Sequence, residues 1–442
     1  MDTNNKIRPS RRRTTHAAMY LAVVSVLPCT AHAAKLDYEL GVSLLHSDNI
    51  DLREDDPISE NVLMPQVRFS AEQTGAVVQM DLSGNLQYLS YLDNTFDDEA
   101  RGDFNGRIEW AVVPERISLV AEDYLSLQPV NTLASFGPGN QQQVNIFIAG
   151  PSFHARFNPV THGELDLRYY NTYAEETEGF NGDRYNAAAR LRRQINSISE
   201  VSLNLAATKA EYDDFGGLFD YTRYDGYLNY SRALASARFE VDLGHTRIER
   251  SDDSSVSEPF FNATYHWDAS SRSRFTAGAH YQLADATQDL VSQASQADDG
   301  PITGDPIELD LQIGPSIYLT RGVQLGYRYT GERTNWTLQP SVERIRYEDG
   351  FSEDQRTRSA RFNLRYRLTS RLIASFMASK RVRELETSGR EDDDLVAGIG
   401  LVNQFTRHWS GRIDLRRRER DSTVVGRSYE ENTVSLTFIY RR

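Results

Sequence analysis

Apolar and polar residues take turns along most of this chain. Ala76, Val78, Met80, Leu82, Gly84, Leu86 and Tyr88 share one parity; Gln79, Asp81, Ser83, Asn85 and Gln87 share the other. Phe104, Ile108, Trp110 and Val112 stand against Asn105, Arg107 and Glu109. The same holds for Leu165, Leu167 and Tyr169 against Glu164, Asp166 and Arg168, and for Ile307, Leu309, Leu311 and Ile313 against Glu308, Asp310 and Gln312. Phe362, Leu364 and Tyr366 oppose Arg361, Asn363, Arg365 and Arg367, and Val434, Leu436, Phe438 and Tyr440 oppose Thr433, Ser435 and Thr437. A period of two is the signature of a strand with one apolar and one polar face. These runs last about ten residues, and no helical period interrupts them. Soluble sandwiches use strands of ~5–6 residues in domains of ~100–250 residues. Strands of ~9–11 residues that put apolar side chains toward lipid and polar ones toward a lumen describe a membrane barrel. Lipid cannot satisfy a free strand edge, so the sheet must close.

Short turn signals fall at Thr74-Gly75, Pro114-Glu115, Pro159-Val160, Asn196-Ser197, Ala235-Ser236, Ser270-Ser271, Thr320-Arg321, Thr369-Ser370 and Arg407-His408. Between them lie longer polar connections at 46–61, 92–100, 129–143, 174–183, 284–305 and 384–394. Short periplasmic turns with long outer loops are the habit of bacterial barrels. Nine turns joining ten hairpins predict an all-β, transmembrane, antiparallel up-and-down β-barrel of about 20 strands. Residues 331–356 hold either one long loop or an added strand pair between Trp336 and Tyr347, which widens the range to about 18–22.

Composition adds an address. Arg8 and Arg11-Arg12-Arg13 precede an apolar run from Ala17 to Cys29, and Ala31-His32-Ala33 fits a small-x-small cleavage rule. That run is too short for a membrane helix. The expected organisation is a signal peptide over 1–33 and a barrel over 34–442, exported to the outer membrane of a Gram-negative bacterium. Cys29 is the only cysteine, which leaves no disulfide framework or zinc ribbon. Past residue 33 the chain holds 44 basic and 62 acidic residues, net −18. That charge excludes nucleic acid as the main partner.

Gly41-Val42-Ser43-Leu44-Leu45-His46-Ser47-Asp48-Asn49-Ile50, followed by a polar loop and then Pro65-Gln66-Val67-Arg68-Phe69, resembles the first hairpin of a family of outer-membrane β-barrel porins. Members often end strand one on a Ser/Thr-Asp-Asn-Ile/Val motif. The resemblance implies a porin-like channel. Some relatives lie beside exopolysaccharide or exosortase systems, which implies polysaccharide export components as partners and a pore for surface polymers as a role. The family supplies no catalytic residues. It usually ends on an aromatic residue read by barrel assembly machinery; here Tyr440 would serve, with Arg441 and Arg442 trailing.

Catalytic chemistry is sparse. After residue 33 the histidines are His46, His154, His162, His245, His266, His280 and His408, and none sits in a nucleophile motif. His266 and His280 share the lumen parity on successive strands, so a cross-strand pair is the one candidate for a metal or catalytic site. A non-enzyme without cofactor is the expectation, with a barrel enzyme or a structural, adhesive barrel as alternatives. Acid clusters in the outer loops match no calcium-loop spacing and suit a solvated rim beside lipopolysaccharide and its bridging cations.

Charge is uneven. Residues 356–442 carry 19 basic and 11 acidic residues, net +8. Alternation points Arg361, Arg365, Arg367, Arg412, Arg416 and Arg418 into the lumen, opposite inward acids such as Asp81 and Asp166. Charged rows are how pores select solutes, so these eight residues are the selectivity candidates. The competing reading is mutual Arg–carboxylate pairing that fills and stiffens the lumen. Trp110 and Trp409 near short turns suit an aromatic girdle. Tyr88/Tyr91, Tyr169/Tyr170 and Tyr327/Tyr329 would stack on sugars only if they face inward. The function expected is a channel for polar or anionic solutes.

Overall fold

The computed structural model describes residues 34–296, 312–350 and 352–442. The segment 1–33, expected to be a signal peptide, and most of the alternating run 307–313 therefore lie outside the described residues. Twenty strands form one sheet. They are β1 (Lys35–Ser47), β2 (Glu60–Thr74), β3 (Val78–Tyr91), β4 (Glu99–Val113), β5 (Ile117–Pro129), β6 (Gln141–Asn158) and β7 (Thr161–Ala174). Next come β8 (Gly182–Asn196), β9 (Ser199–Tyr212), β10 (Tyr221–Ala233), β11 (Ala237–Arg250), β12 (Ser255–Ser270) and β13 (Ser273–Asp285). A helix, α1 (Ala286–Gln296), precedes β14 (Ile317–Thr330), β15 (Thr334–Tyr347), β16 (Gln355–Arg367) and β17 (Leu372–Leu385). The last are β18 (Glu391–Gln404), β19 (Trp409–Ser422) and β20 (Tyr429–Arg441). Each strand pairs antiparallel with the next, and β20 returns to β1 with Leu40 opposite Tyr440 and Leu44 opposite Leu436. The ring closes, as a membrane requires, and the outer end of β12 is where one strand edge stays unpaired among the described residues.

The parity assigned to β3, β4, β7, β16 and β20 holds. Leu82 pairs with Ala71 and Gly106, while Asp81 pairs with Glu72 and Arg107 on the other face. Outward positions are large and exposed on every side of the ring, for example Leu86, Leu205, Leu243, Leu325 and Ile399. Near the short turns an outward chain of ring contacts runs Trp267–Phe275–Tyr327–Trp336–Phe362–Phe376, with centroids 4.6 to 6.1 Å apart. Trp409 packs on Tyr440 at 5.1 Å in the same girdle. Tyr327 and Tyr329 belong to it. Register also turns Tyr88 and Tyr169 outward, so the sugar-stacking reading fails for these four.

Eight of the nine short turns stand. The exception is Thr320-Arg321, which lies inside β14; the real turn is Gly331-Glu332-Arg333. Thr320 and Gly322 mimic a turn in sequence, but Thr320 is a buried lumen residue of β14 and Gly322 makes room for a histidine ring. Residues 334–347 form one strand, β15, and 348–354 the loop after it. The described residues hold 20 strands, the expected count, with β15 standing where a loop or a strand pair was left open.

The lumen is crossed from two sides. β12 pairs with β13 only from Phe261 opposite Tyr281 toward the turn; Ser255–Phe260 keep partners on β11 alone. Above that point β13, β14 and β15 lean inward. Leu283, Ile317 and Leu319 share the parity that faces lipid lower down, yet pack on Tyr212, Tyr221 and Ile248 of the opposing inner wall. The alternation predicted no helix, and α1 departs from it. Asp285 accepts from the Gln288 amide at 3.1 Å, an N-cap at the strand-to-helix corner. Leu290, Val291 and Ala294 of α1 then pack with Tyr124 of β5 and Val144, Ile146 and Ile148 of β6. Asn105 of β4 donates to the Ala294 carbonyl at 2.7 Å. β13 and β5 are eight strands apart, so α1 spans the lumen. From the other side, the β5–β6 connection at 130–140 reaches β17 and β19. Arg383 donates to Thr132 O at 2.7 Å, and Arg420 to Ala134 O at 3.5 Å.

Candidate functional site: the lumen and its basic wall

All six arginine candidates face the lumen, but they fall into two kinds. On β16, Arg361 sits between Gln339 and Ser379, and Arg365 between Asn335 and Ser375. Arg367 closes the row at the turn, and all three side chains are exposed to lumen water. None of the three has a carboxylate partner among the described residues. The neighbours of Arg361 and Arg365 are neutral amides and hydroxyls and Arg367 lies opposite Ile373, so the guanidinium forks stay available for a bidentate contact with an oxyanion. On β19 the charge is held internally. Arg412 donates to Asp414 at 2.5 and 2.7 Å. Arg418 lies 3.5 Å from Glu431, and Arg416 also has an interaction partner. Arg412 and Arg418 thus stand beside carboxylates, and the candidates with none among the described residues are Arg361, Arg365 and Arg367.

Of the acids, Asp81 is exposed to the lumen between Glu72 and Arg107. Asp166 accepts from Ser152 at 2.5 Å and from Arg168 at 2.9 Å. Its charge stiffens the wall. Higher on β17–β19, Arg381 and Arg420 clamp Asp394, and Arg383 and Arg390 clamp Asp392. Arg383 and Asp392 are 2% and 0% exposed. These buried pairs carry the arginines that hold the 130–140 connection. Arg420 shares the inward parity of Arg412, Arg416 and Arg418, and nothing local shows that it reaches a backbone carbonyl from β5–β6.

The histidine pair does not form. His266 lies opposite Thr276, and His280 opposite Asn262. They stand four residues out of step, ~13 Å along the strand. His280 instead meets Thr320 at 3.1 Å and Glu343 at 3.5 Å, both on Nε2, while Thr320 donates to Glu343 at 2.9 Å. A nucleophile–base–orienter relay would use both ring nitrogens; this cluster uses one. A Cβ on Gly322 would come within 2.7 Å of the His280 ring, so the bare glycine admits it.

Sequence reasoning missed the latch of α1. Arg184 donates to Asp285 at 2.9 Å and to Tyr212 and Tyr221 at 2.9 Å each, while Tyr221 donates to Asp285 at 2.8 Å. Arg223 reaches Gln288 at 2.7 Å. Tyr318 donates to Asp289 at 2.6 Å, and burial pushes the Asp289 carboxyl up to about 6. The only local signal was an Asp before a helix-forming run; its partners lie on β8 and β10. Two shallow depressions of about 650 and 350 Å³ lie on the outer face of β6–β10, floored by Ala149, Ala187 and Ala189, away from this chemistry.

The charges of the two mouths differ. The nine short turns, with three flanking residues on each side, hold 12 arginines and five acids, net +7. Nine of the ten long connections, leaving aside the one between β13 and β14, hold 21 acids and three arginines, net −18.

Residues 314–442 match the family described as "Putative beta-barrel porin 2", which bears out the porin resemblance read from the first hairpin. Among solved structures, "Copper transporter OprC" aligns at TM-score 0.48 with 11% identity over 93% of this chain and 81% of that one. OccK2 (OpdF) of Pseudomonas aeruginosa aligns at TM-score 0.39 with 12% identity, covering 92% and 98%. OccAB4 of Acinetobacter baumannii aligns at 0.39 with 9% identity, covering 94% and 100%. No curated protein matches the chain in sequence.

Proposed function

We propose that this porin-like outer-membrane barrel is a channel for small polar anions bearing hydroxyl groups, with β16 as its selective wall. The observation that carries the reading is the row Arg361, Arg365 and Arg367, without carboxylate partners and set among Asn335, Gln339, Ser375 and Ser379. A carboxylate passing this wall exchanges water for guanidinium forks, and its hydroxyls find amide and hydroxyl partners. The β19 arginines tune the potential through what remains after Asp414 and Glu431 are offset. The one-nitrogen histidine cluster supports transport over catalysis. Planar-bilayer recording tests this: the purified barrel conducts, and Arg361→Ala with Arg365→Ala lowers anion-over-cation permeability, most at low salt, where screening beyond ~8–10 Å is weakest. Arg412→Ala combined with Asp414→Asn changes the ratio less, because the pair it removes is already neutral. An unchanged ratio in the β16 double variant at low salt removes β16 as the selective wall.

A further inference from the structure

The basic charge at the short-turn mouth is not spread around the ring. The first four turns hold two arginines and three acids; the last five, from β10 to β19, hold ten arginines, Arg365 and Arg367 of the lumen row among them, and two acids, net +8. Arg272 is paired with Glu332 and Arg274 with Asp268. Arg333, Arg371 and Arg407 are exposed and have no ion-pair partner among the described residues. From Arg371 in the β16–β17 turn, the inward arginines of β16 continue the same charge upward. Arg367 to Arg361 is six residues, ~20 Å of strand. The rim and the lumen row thus form one basic track on one side of the barrel. It ends beneath the 130–140 connection, and the mouth beyond carries the −18 of the long loops.

We infer that this track docks a linear polyanion, a chain with carboxylates at regular intervals, entering from the short-turn side. This rests on the channel reading and adds a polymer ligand and a side. A compact acidic domain would reach Arg333, Arg371 and Arg407 but not Arg361, which lies up the lumen. A small anion touches one guanidinium at a time. An extended chain contacts the rim and β16 together, and each added contact is intramolecular, so affinity rises steeply with length. The acidic loops repel the same chain at the opposite mouth.

Full-length barrel held in one orientation in a planar bilayer tests the inference, with oligogalacturonate of about ten units as probe and galacturonate monomer as control. The expected result is current block from the short-turn side at a concentration at least tenfold below that needed from the loop side, and at least tenfold below monomer per carboxylate. Arg333→Glu, Arg371→Glu and Arg407→Glu together raise the short-turn blocking concentration at least tenfold, and the three lysine replacements restore it to within a few-fold. Arg427→Glu, on the loop side, leaves it unchanged. Heat-modifiable gel mobility shows that each variant is folded. Equal block from both sides overturns the inference while leaving the channel intact. So does block no better than monomer, or capture of a folded acidic protein at the rim without polymer block. A wild-type barrel that does not conduct overturns the channel reading first.

Discussion

Arg184→Ala should free α1 from the inner wall without opening the barrel. Arg184 and Asp285 are 7% and 5% exposed, and their pair is ringed by Tyr212 and Tyr221. Removing one member of a buried ion pair costs ~3–5 kcal/mol, because the other charge is left in a poorly solvated site. What remains to hold α1 is of similar size. Burial of Leu290 is worth ~2 kcal/mol. The bonds Arg223–Gln288, Tyr318–Asp289 and Asn105–Ala294 O contribute ~1 kcal/mol each. The substitution therefore brings docked and released states to comparable populations. The readout is modification of an introduced Val291→Cys by a bulky thiol reagent; the sequence has a single other cysteine, Cys29. Modification should rise tenfold or more, unitary conductance should rise with it, and heat-modifiable mobility should persist because the β8 ladder is intact. Arg184→Met with Asp285→Asn, which removes both charges, should release α1 less than Arg184→Ala alone. If Val291→Cys stays protected in Arg184→Ala, the ion pair is not what holds α1.

Register is tested by Leu82→Arg against Ser83→Arg. The first puts a guanidinium into lipid near mid-strand and should cost ~2–4 kcal/mol, while the second enters the lumen and folds; equal tolerance would reverse the faces of β3. Asp289 gives a pH test with a definite sign. Its carboxyl is raised by burial from the ordinary 3.8 to about 6, so docking of α1 is unhindered below ~4, weakens across pH 4–6 and is weakest above 6, by at most ~3 kcal/mol. Glu343 and Asp285 add like charge around it, and His280 and the Tyr318 hydroxyl oppose them. Val291→Cys modification should rise from pH 5 to pH 7, and Asp289→Asn should flatten that rise. Arg383→Met should expose the 130–140 connection to protease, since it deletes the bond to Thr132 O and leaves Asp392 with Arg390 and the Ser422 hydroxyl.

The wall was legible because parity is a local property. Lipid on one side and water on the other write the same rule at every second position, so Leu82 and Asp81 or Leu364 and Arg365 declare their faces without reference to any partner. Turns were legible where Pro, Gly or Asn interrupts the alternation. They failed at Thr320-Arg321, where small and charged residues serve the inward lean of β14 rather than a reversal. Tyr318 and Thr320 meet α1 and His280 there, and Leu319 meets β11 with its lipid parity. A rule that assigns every second residue to lipid cannot show where the wall itself bends inside.

The lumen's contents were illegible for a related reason. Alternation says that Arg361, Arg365, Arg412 and Arg418 point inward, and it gives all of them one rank. What separates them is whether a carboxylate stands on the same strand or the next. Asp414 lies two positions from Arg412 on the same face, a spacing that could have been read, and Glu431 lies across the β19–β20 register, which could be read once the turn was placed. β15 and β17 offer Arg361 and Arg365 only amides and hydroxyls, and that absence becomes visible when β15 is recognised as a strand. The misassigned turn thus hid the chemistry as well as the topology: with 331–356 left open between a long loop and a strand pair, Gln339 and Asn335 had no fixed place beside the arginines. The two crossings of the lumen lie further out of reach. Arg184 meets Asp285 across 101 residues, and Arg383 meets Thr132 across 251. Such bonds exist only after closure of the ring brings β8 to α1 and β17 to the β5–β6 connection. The crossings of the lumen therefore depend on contacts made after the wall has formed, while the basic face of β16 is already set by single residues.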